Sequence, residues 1–195
     1  MRTRRGSTLK GVITISLMAV NVVFWVPILL VVALAKLLIP LAAWRRWTSA
    51  LMIWIAQAWI SCNGAIFSLM GALRLEVDGV EGLDPRSWYL VLSNHQSWVD
   101  ILVLQKAFNR RIPFLKFFLK QELIWVPFLG LAWWALDFPF MQRHSATYLQ
   151  KHPQARGEDL DATRKACERF ALLPTSVMNF VEGTRYTTAK HKTTK

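Results

Sequence analysis

The chain of 195 residues carries 24 Lys and Arg against 12 Asp and Glu, a formal charge of +12, yet 53% of it is hydrophobic and only 18% is charged. Disorder, collagen-like repeats and a disulfide scaffold are excluded, since disorder needs low hydrophobicity and a scaffold needs many more than two cysteines. The length suits one domain with a sizeable core, or a smaller domain with a membrane segment. The 10 Trp favour the second option, because indole rings prefer the boundary between lipid and water.

Residues 11–35 hold no charge. As a helix this run is about 37 Å long, enough to cross a hydrocarbon core of roughly 30 Å. It is too long for a secretory signal peptide, and no small-residue cleavage site follows it. Pro27 is a kink that lipid-buried helices tolerate. Residues 47–73 are also uncharged but include Gln57, Ser61, Asn63 and Gly64, so this run could span, re-enter or lie in the interface. Arg2, Arg4, Arg5 and Lys10 hold the first end in the cytosol. The positive charge of the remainder argues against export, so the two runs read as a hairpin that returns the chain to the cytosol. Lys36, Arg45 and Arg46 make a basic turn ill-suited to translocation, and a shallow, non-crossing hairpin stays open as the competitor. Cys62 in the second run and Cys167 in a helical pattern fit a reduced compartment without a bridge.

Past residue 72 the pattern changes. Leu73, Leu75 and Val77 alternate with Arg74, Glu76 and Asp78, the period of a half-buried strand, and Gly79, Gly82 and Asp84-Pro85 break it. Residues 88–92 form a short apolar run, predicted to be a strand buried on both faces, which ends at Ser93-Asn94-His95. Ser97 and Asp100, just ahead of Ile101, resemble a capping box that opens a helix. Residues 112–118 suggest another strand, with Pro113 limiting it to an early or edge position. The uncharged stretch between Glu122 and Asp137, with Trp125, Trp133 and Trp134, is too short to span a bilayer; it is core or a face pressed on the membrane. Residues 159–172 place Leu160, Thr163, Cys167, Phe170 and Ala171 on one helical side, and Pro174 stops the pattern. Residues 176–181 read as a buried strand running into Glu182-Gly183-Thr184-Arg185. The fold class expected is therefore α/β, a mostly parallel sheet flanked by helices, behind an N-terminal membrane-inserted helical hairpin. The domains expected are residues 1–72 as membrane anchor and 73–195 as the domain that carries the chemistry.

Two constellations fall at strand ends, where open sheets bind ligands. His95 stands at a strand-to-helix turn, and Asp100 five residues on can swing back to its ring. A carboxylate on one ring nitrogen fixes the tautomer and stabilises the imidazolium formed when the other takes a proton. Equally, Asp100 could merely cap the helix and His95 sit in a turn; on the residues alone both readings stand. Glu182-Gly183-Thr184-Arg185 combines a glycine that admits a ligand to the backbone with a guanidinium fork suited to phosphate, or is an ordinary strand exit with a surface ion pair. Arg143 is a weaker candidate after an apolar segment. There is no G-x-S-x-G and no G-x-x-x-x-G-K-[ST], and with four His and no C-x-x-C no metal site is expected. The cations are spread along the chain, which suits anionic lipid headgroups better than nucleic acid.

Asn94-His95-Gln96-Ser97-Trp98-Val99-Asp100 resembles the N-H-x-x-x-x-D motif of the glycerolipid acyltransferases, and Val181-Glu182-Gly183-Thr184-Arg185 resembles their E-G-T-R motif. Phe118-Leu119-Lys120-Gln121-Glu122-Leu123, Pro127-Phe128-Leu129-Gly130 and Phe140-Met141-Gln142-Arg143 are similar to the segments around the family's second motif. The likeness covers residues 73–192 and is nearest the lysophosphatidic acid acyltransferases of the bacterial inner membrane. It implies an acyltransferase domain facing the cytosol, in which His95 is the catalytic base and Asp100 orients and charges it. Arg143 and Arg185 would hold the acceptor's phosphate, with Glu182, Gly183 and Thr184 shaping that pocket. It further implies a lysophospholipid acceptor, 1-acylglycerol 3-phosphate first among candidates, acyl-CoA or acyl carrier protein as donor, membrane phospholipids as partners, and no cofactor. A fourth, proline-containing motif is expected further on, so the domain reads as truncated at its C-terminus. A non-catalytic anionic-lipid-binding membrane protein, or an inactive fragment, is the alternative.

Overall fold

The computed structural model describes residues 2–71, 75–141 and 173–182, together with Gln150, Arg164, Glu168 and Phe170. Two compact units emerge: residues 1–83 with 98–111, and residues 84–97 with 112–195.

In the first unit, α1 (Arg2–Leu38) and α2 (Ala42–Leu69) pack as a hairpin. Their contact seam recurs near every third and fourth residue: Val26, Leu29 and Ala33 on α1, and Thr48, Met52, Ile55 and Ile60 on α2. The outer faces leave Val20, Val23, Val31 and Leu34 exposed. Both helices are long and apolar enough to cross a membrane, with mean hydropathies of 2.6 and 1.5. The Trp44 indole N–H closes the turn on the Ala35 carbonyl at 3.0 Å. Inside the seam, Asn21 Nδ2 donates to Asn63 Oδ1 at 2.9 Å and to the Trp59 carbonyl at 3.1 Å. A polar pair in an otherwise apolar seam fixes the register of one helix against the other. Asn21→Leu strands the Asn63 oxygen and is expected to cost about 1–2 kcal/mol, read as a lower unfolding midpoint in detergent.

Of the residues that make the second run look weak, Asn63 faces α1, while Ser61 and the carbonyls of Gln57 and Gly64 line the side of α2 that receives α3 (Val99–Phe108). Helix α3 opens at Val99, with Trp98 in the cap position and no side-chain cap bond from it, so Ser97 stands one residue ahead of the place the capping box requires. Arg110, at φ 62, ends the helix in the left-handed conformation that usually falls to glycine.

In the second unit, β1 (Tyr89–Ser93), β5 (Ser176–Phe180) and β2 (Leu115–Phe117) form a parallel sheet in the order β1-β5-β2. Tyr89 pairs with Ser176 and Ser93 with Phe180, while Leu115 pairs with Ser176 on the other side. A second parallel pair joins β3 (Leu119–Lys120) to β4 (Phe140–Met141). The core gathers Phe114, Leu115, Phe117, Phe138 and Met178. Lys116 is buried as well, its Nζ 4.9 Å from the centre of the Phe170 ring, and the Trp88 indole N–H donates to the Phe170 carbonyl at 2.9 Å. Ahead of β1, the Asp84 carboxylate accepts the Arg86 backbone N–H at 2.9 Å, which holds its carboxyl below the usual range.

Three expectations change. Leu75 and Val77 are half-buried while Glu76 and Asp78 are exposed, as the alternation requires, yet residues 75–78 join no ladder. Periodicity reports a half-buried face; a strand also needs a partner edge. Strand β1 is not covered on both faces: among the described strands it is the sheet's edge, and Leu90 and Leu92 remain 68% and 59% exposed. The stretch between Glu122 and Asp137 is neither all core nor all face. It forms a 3-10 turn (Gln121–Trp125) and α4 (Leu129–Ala135), which bury Ala132, Ala135 and Leu136 and leave Trp125, Phe128, Leu131 and Trp134 exposed. Arg164, Glu168 and Phe170 are helical, and the rest of the expected 159–172 helix, with Cys167, lies outside the described residues. Cys62 is a free thiol.

Candidate active site

Parallel pairing sets the carboxyl ends of β1 and β5 side by side, because Ser93 is in register with Phe180. The Val181 backbone N–H donates to the Ser93 carbonyl at 3.2 Å, extending the match one residue further. His95 and Glu182 each lie two residues past that last pair, so the two recognisable motifs leave the sheet at the same carboxyl end. Open parallel sheets bind their ligands beyond these ends, where the backbone carries no further ladder bonds.

The imidazole of His95 lies flat on the Phe180 ring, with centroids 3.9 Å apart and planes inclined by 17°. Stacking restricts the rotation of a side chain carried on an irregular loop, and the residue is half-buried. An imidazole so held can accept and return a proton at a fixed place. Glu182 is exposed in the turn that follows β5. Asp100 occupies the first turn of α3, where the positive end of the helix dipole favours a carboxylate. Arg143, Gly183, Thr184 and Arg185 lie outside the described residues. Among the described residues no three His, Cys, Asp or Glu side chains gather as metal ligands do.

The sequence reading missed Phe180, which passed for one more apolar strand residue. Its signal is positional: the last residue of β5 sits opposite the last residue of β1, and the motif histidine follows at once. Phe180→Leu keeps most of the volume and removes the flat support. It is expected to lower kcat roughly tenfold with KM little changed, checked by steady-state kinetics.

Pro127-Phe128-Leu129-Gly130 was noted for its likeness alone, and the backbone supplies its physical reason. Leu129 N–H donates to the Pro127 carbonyl at 2.7 Å across Phe128, which is held at φ 61 and ψ −48, the geometry of a tight three-residue turn. A bulky residue in that conformation is strained. Gly130 then lets the chain pass the Ile124 carbonyl, which any Cβ at this position would strike. Two turns later the helix ends in a Schellman arrangement, with Asp137 at φ 58, its N–H on the Trp134 carbonyl at 3.0 Å, and Phe138 N–H on the Trp133 carbonyl at 2.9 Å.

The acyltransferase family model matches residues 74–195. The chain belongs to the acyltransferase family. Among curated relatives, the 1-acyl-sn-glycerol-3-phosphate acyltransferase of Saccharomyces cerevisiae is 31% identical over 134 residues, covering 68% of this chain and 40% of that protein. The alpha form of that enzyme from Mus musculus is 29% identical over 114 residues, covering 58% of this chain and 35% of the relative. The chain thus spans less than half the length of these relatives. The crystal structure of the 1-acyl-sn-glycerophosphate (LPA) acyltransferase PlsC from Thermotoga maritima shares the fold. Its TM-score is 0.62 at 20% identity, with 95% of this chain and 64% of that one covered.

Proposed function

We propose that the protein transfers a fatty acyl group from acyl-CoA or acyl carrier protein to the free hydroxyl of a lysophospholipid, with 1-acylglycerol 3-phosphate as acceptor. The observation that carries this reading is the exit of His95 and Glu182 from paired ends of β1 and β5, in a chain of the acyltransferase family. His95 takes the hydroxyl proton as the acceptor oxygen attacks the thioester carbonyl. Asp100 orients the imidazole and stabilises its charged form. The C–O bond forms and the C–S bond breaks as the tetrahedral intermediate collapses, and the proton passes from the imidazolium to the departing thiolate. Arg143 and Arg185 pair with the acceptor phosphate, and Glu182, Gly183 and Thr184 shape its pocket. No metal or cofactor enters the step.

Both reactants are bilayer lipids or carry a fatty chain, so an anchored enzyme meets them at high local concentration. The exposed apolar faces of α1 and α2 favour membrane insertion, on the cytosolic side of a bacterial inner membrane by the positive-inside rule. The shallow form of the hairpin has support from packing. From Gln57 to Ser68, α2 is lined by α3 and contacts the Lys106 ammonium, which is costly inside hydrocarbon. That leaves residues 47–56 for lipid, about 15 Å of helix against a core of roughly 30 Å. A Leu41→Cys protein lacking Cys62 and Cys167 is therefore expected to resist an impermeant maleimide applied from the far side of intact vesicles. Labelling there would show that the turn crosses.

Acyl transfer itself is tested by thiol release from acyl-CoA by full-length protein in vesicles, with 1-acylglycerol 3-phosphate, with a phosphate-free lyso-acceptor, and with neither. Release that depends on the phosphorylated acceptor supports the proposal. Tight vesicle binding with no turnover under any condition supports the non-catalytic lipid binder instead.

A further inference from the structure

Two donors, Lys106 in α3 and Asn109 at its C-cap, enter two matching sockets on α2. In each socket a serine hydroxyl donates to the carbonyl four residues earlier: Ser61 Oγ to Gln57 at 2.9 Å, and Ser68 Oγ to Gly64 at 3.0 Å. Each hydroxyl and carbonyl then accepts from one side chain, of α3 or of its C-cap. Asn109 Nδ2 donates to Ser61 Oγ at 2.8 Å and to the Gln57 carbonyl at 3.2 Å. Lys106 Nζ donates to Ser68 Oγ at 2.8 Å and to the Gly64 carbonyl at 3.3 Å. The sockets are one heptad apart, so they share a face of α2. The Lys106 stem lies along α2 beside Gly64, its nearest methylenes 3.6 Å from where a Cβ would stand.

Helix α3 needs such a hold. It runs from Val99 to Phe108, buries only Ala107 fully, and is too short to be stable by itself. A single attachment would leave it free to roll; two attachments of different chemistry set both its position and its rotation. Asp100 lies on this helix, less than two turns from Lys106.

We propose that Lys106 and Asn109 are positioning residues, which clamp α3 to the hairpin and thereby set where Asp100 presents its carboxylate. The proposal rests on the reading of Asp100 as the partner of the catalytic base.

The test compares Lys106→Met, Asn109→Leu, Asp100→Asn and each combination with Asp100→Asn, as full-length proteins in vesicles. Each of the first two is expected to lower kcat at least tenfold with the KM for both substrates within about twofold, and Lys106→Arg, which keeps donors for the socket, is expected to restore most of it. Added to Asp100→Asn, either change is expected to lower kcat no further, because the group it positions is already gone. Full multiplication of the two losses would assign Lys106 and Asn109 a merely structural role and overturn the proposal, as would unchanged kcat in the single variants. Should either variant fail to fold, Ser61→Ala and Ser68→Ala open the sockets from the other side and are read by the same cycle. His95→Ala serves as the separate control: activity retained there refutes the base assignment, and the clamp with it, whereas activity lost there with normal kinetics in the clamp variants refutes the clamp alone.

Discussion

His95→Ala is expected to reduce acceptor-dependent thiol release by about 10² to 10⁴, the range that a positioned general base supplies. Vesicle binding should be unchanged, because the hairpin that favours insertion belongs to the other compact unit. The stack on Phe180 makes the loss specific in kind. Alanine removes the proton acceptor and leaves the strand pairing of β1 with β5 intact, so circular dichroism and the unfolding midpoint should barely move. Loss of binding together with loss of turnover would instead point to a structural role for the ring.

Gly130→Ala is expected to have the second largest effect, by a different route. Its Cβ would fall on the Ile124 carbonyl, a backbone atom that no side-chain rotation can move aside. The preceding turn already holds Phe128 in a strained conformation, so it has little room to yield. Relief requires moving the 3-10 turn away from α4, at an expected cost of about 3 kcal/mol or more. Thermal unfolding of the detergent-solubilised protein checks it, and turnover should fall in proportion to the folded fraction. Gly64→Ala is the contrast: its added methyl meets the Lys106 side chain at 3.6 Å, ordinary contact, so little change is expected.

Much of the arrangement was legible from residue order. The apolar hairpin, the parallel sheet and the strand-end position of His95 and Glu182 all follow from hydropathy runs, turn residues and motif spacing. What stayed hidden depends on partners distant in sequence. Ser61 and Asn63 look like flaws in a lipid-buried helix until Asn109 and Asn21 are seen to bond with their side chains. Residues 75–78 alternate as a strand does, but alternation cannot say whether a neighbouring edge is free. Leu90 and Leu92 belong to a continuous apolar run, and such a run does not distinguish an edge strand from a central one. Phe180 acquires a role only through the register that sets it against Ser93.

The reading of His95 as a base that promotes direct transfer is tested most directly by rapid-quench analysis of a single turnover with radiolabelled acyl-CoA. Label is predicted to pass straight into the acylated lipid when acceptor is present, and none is predicted on acid-precipitated protein when acceptor is left out. A stoichiometric burst of acid-stable label on the protein would mean that a covalent acyl-enzyme carries the reaction, and would contradict the role given to His95.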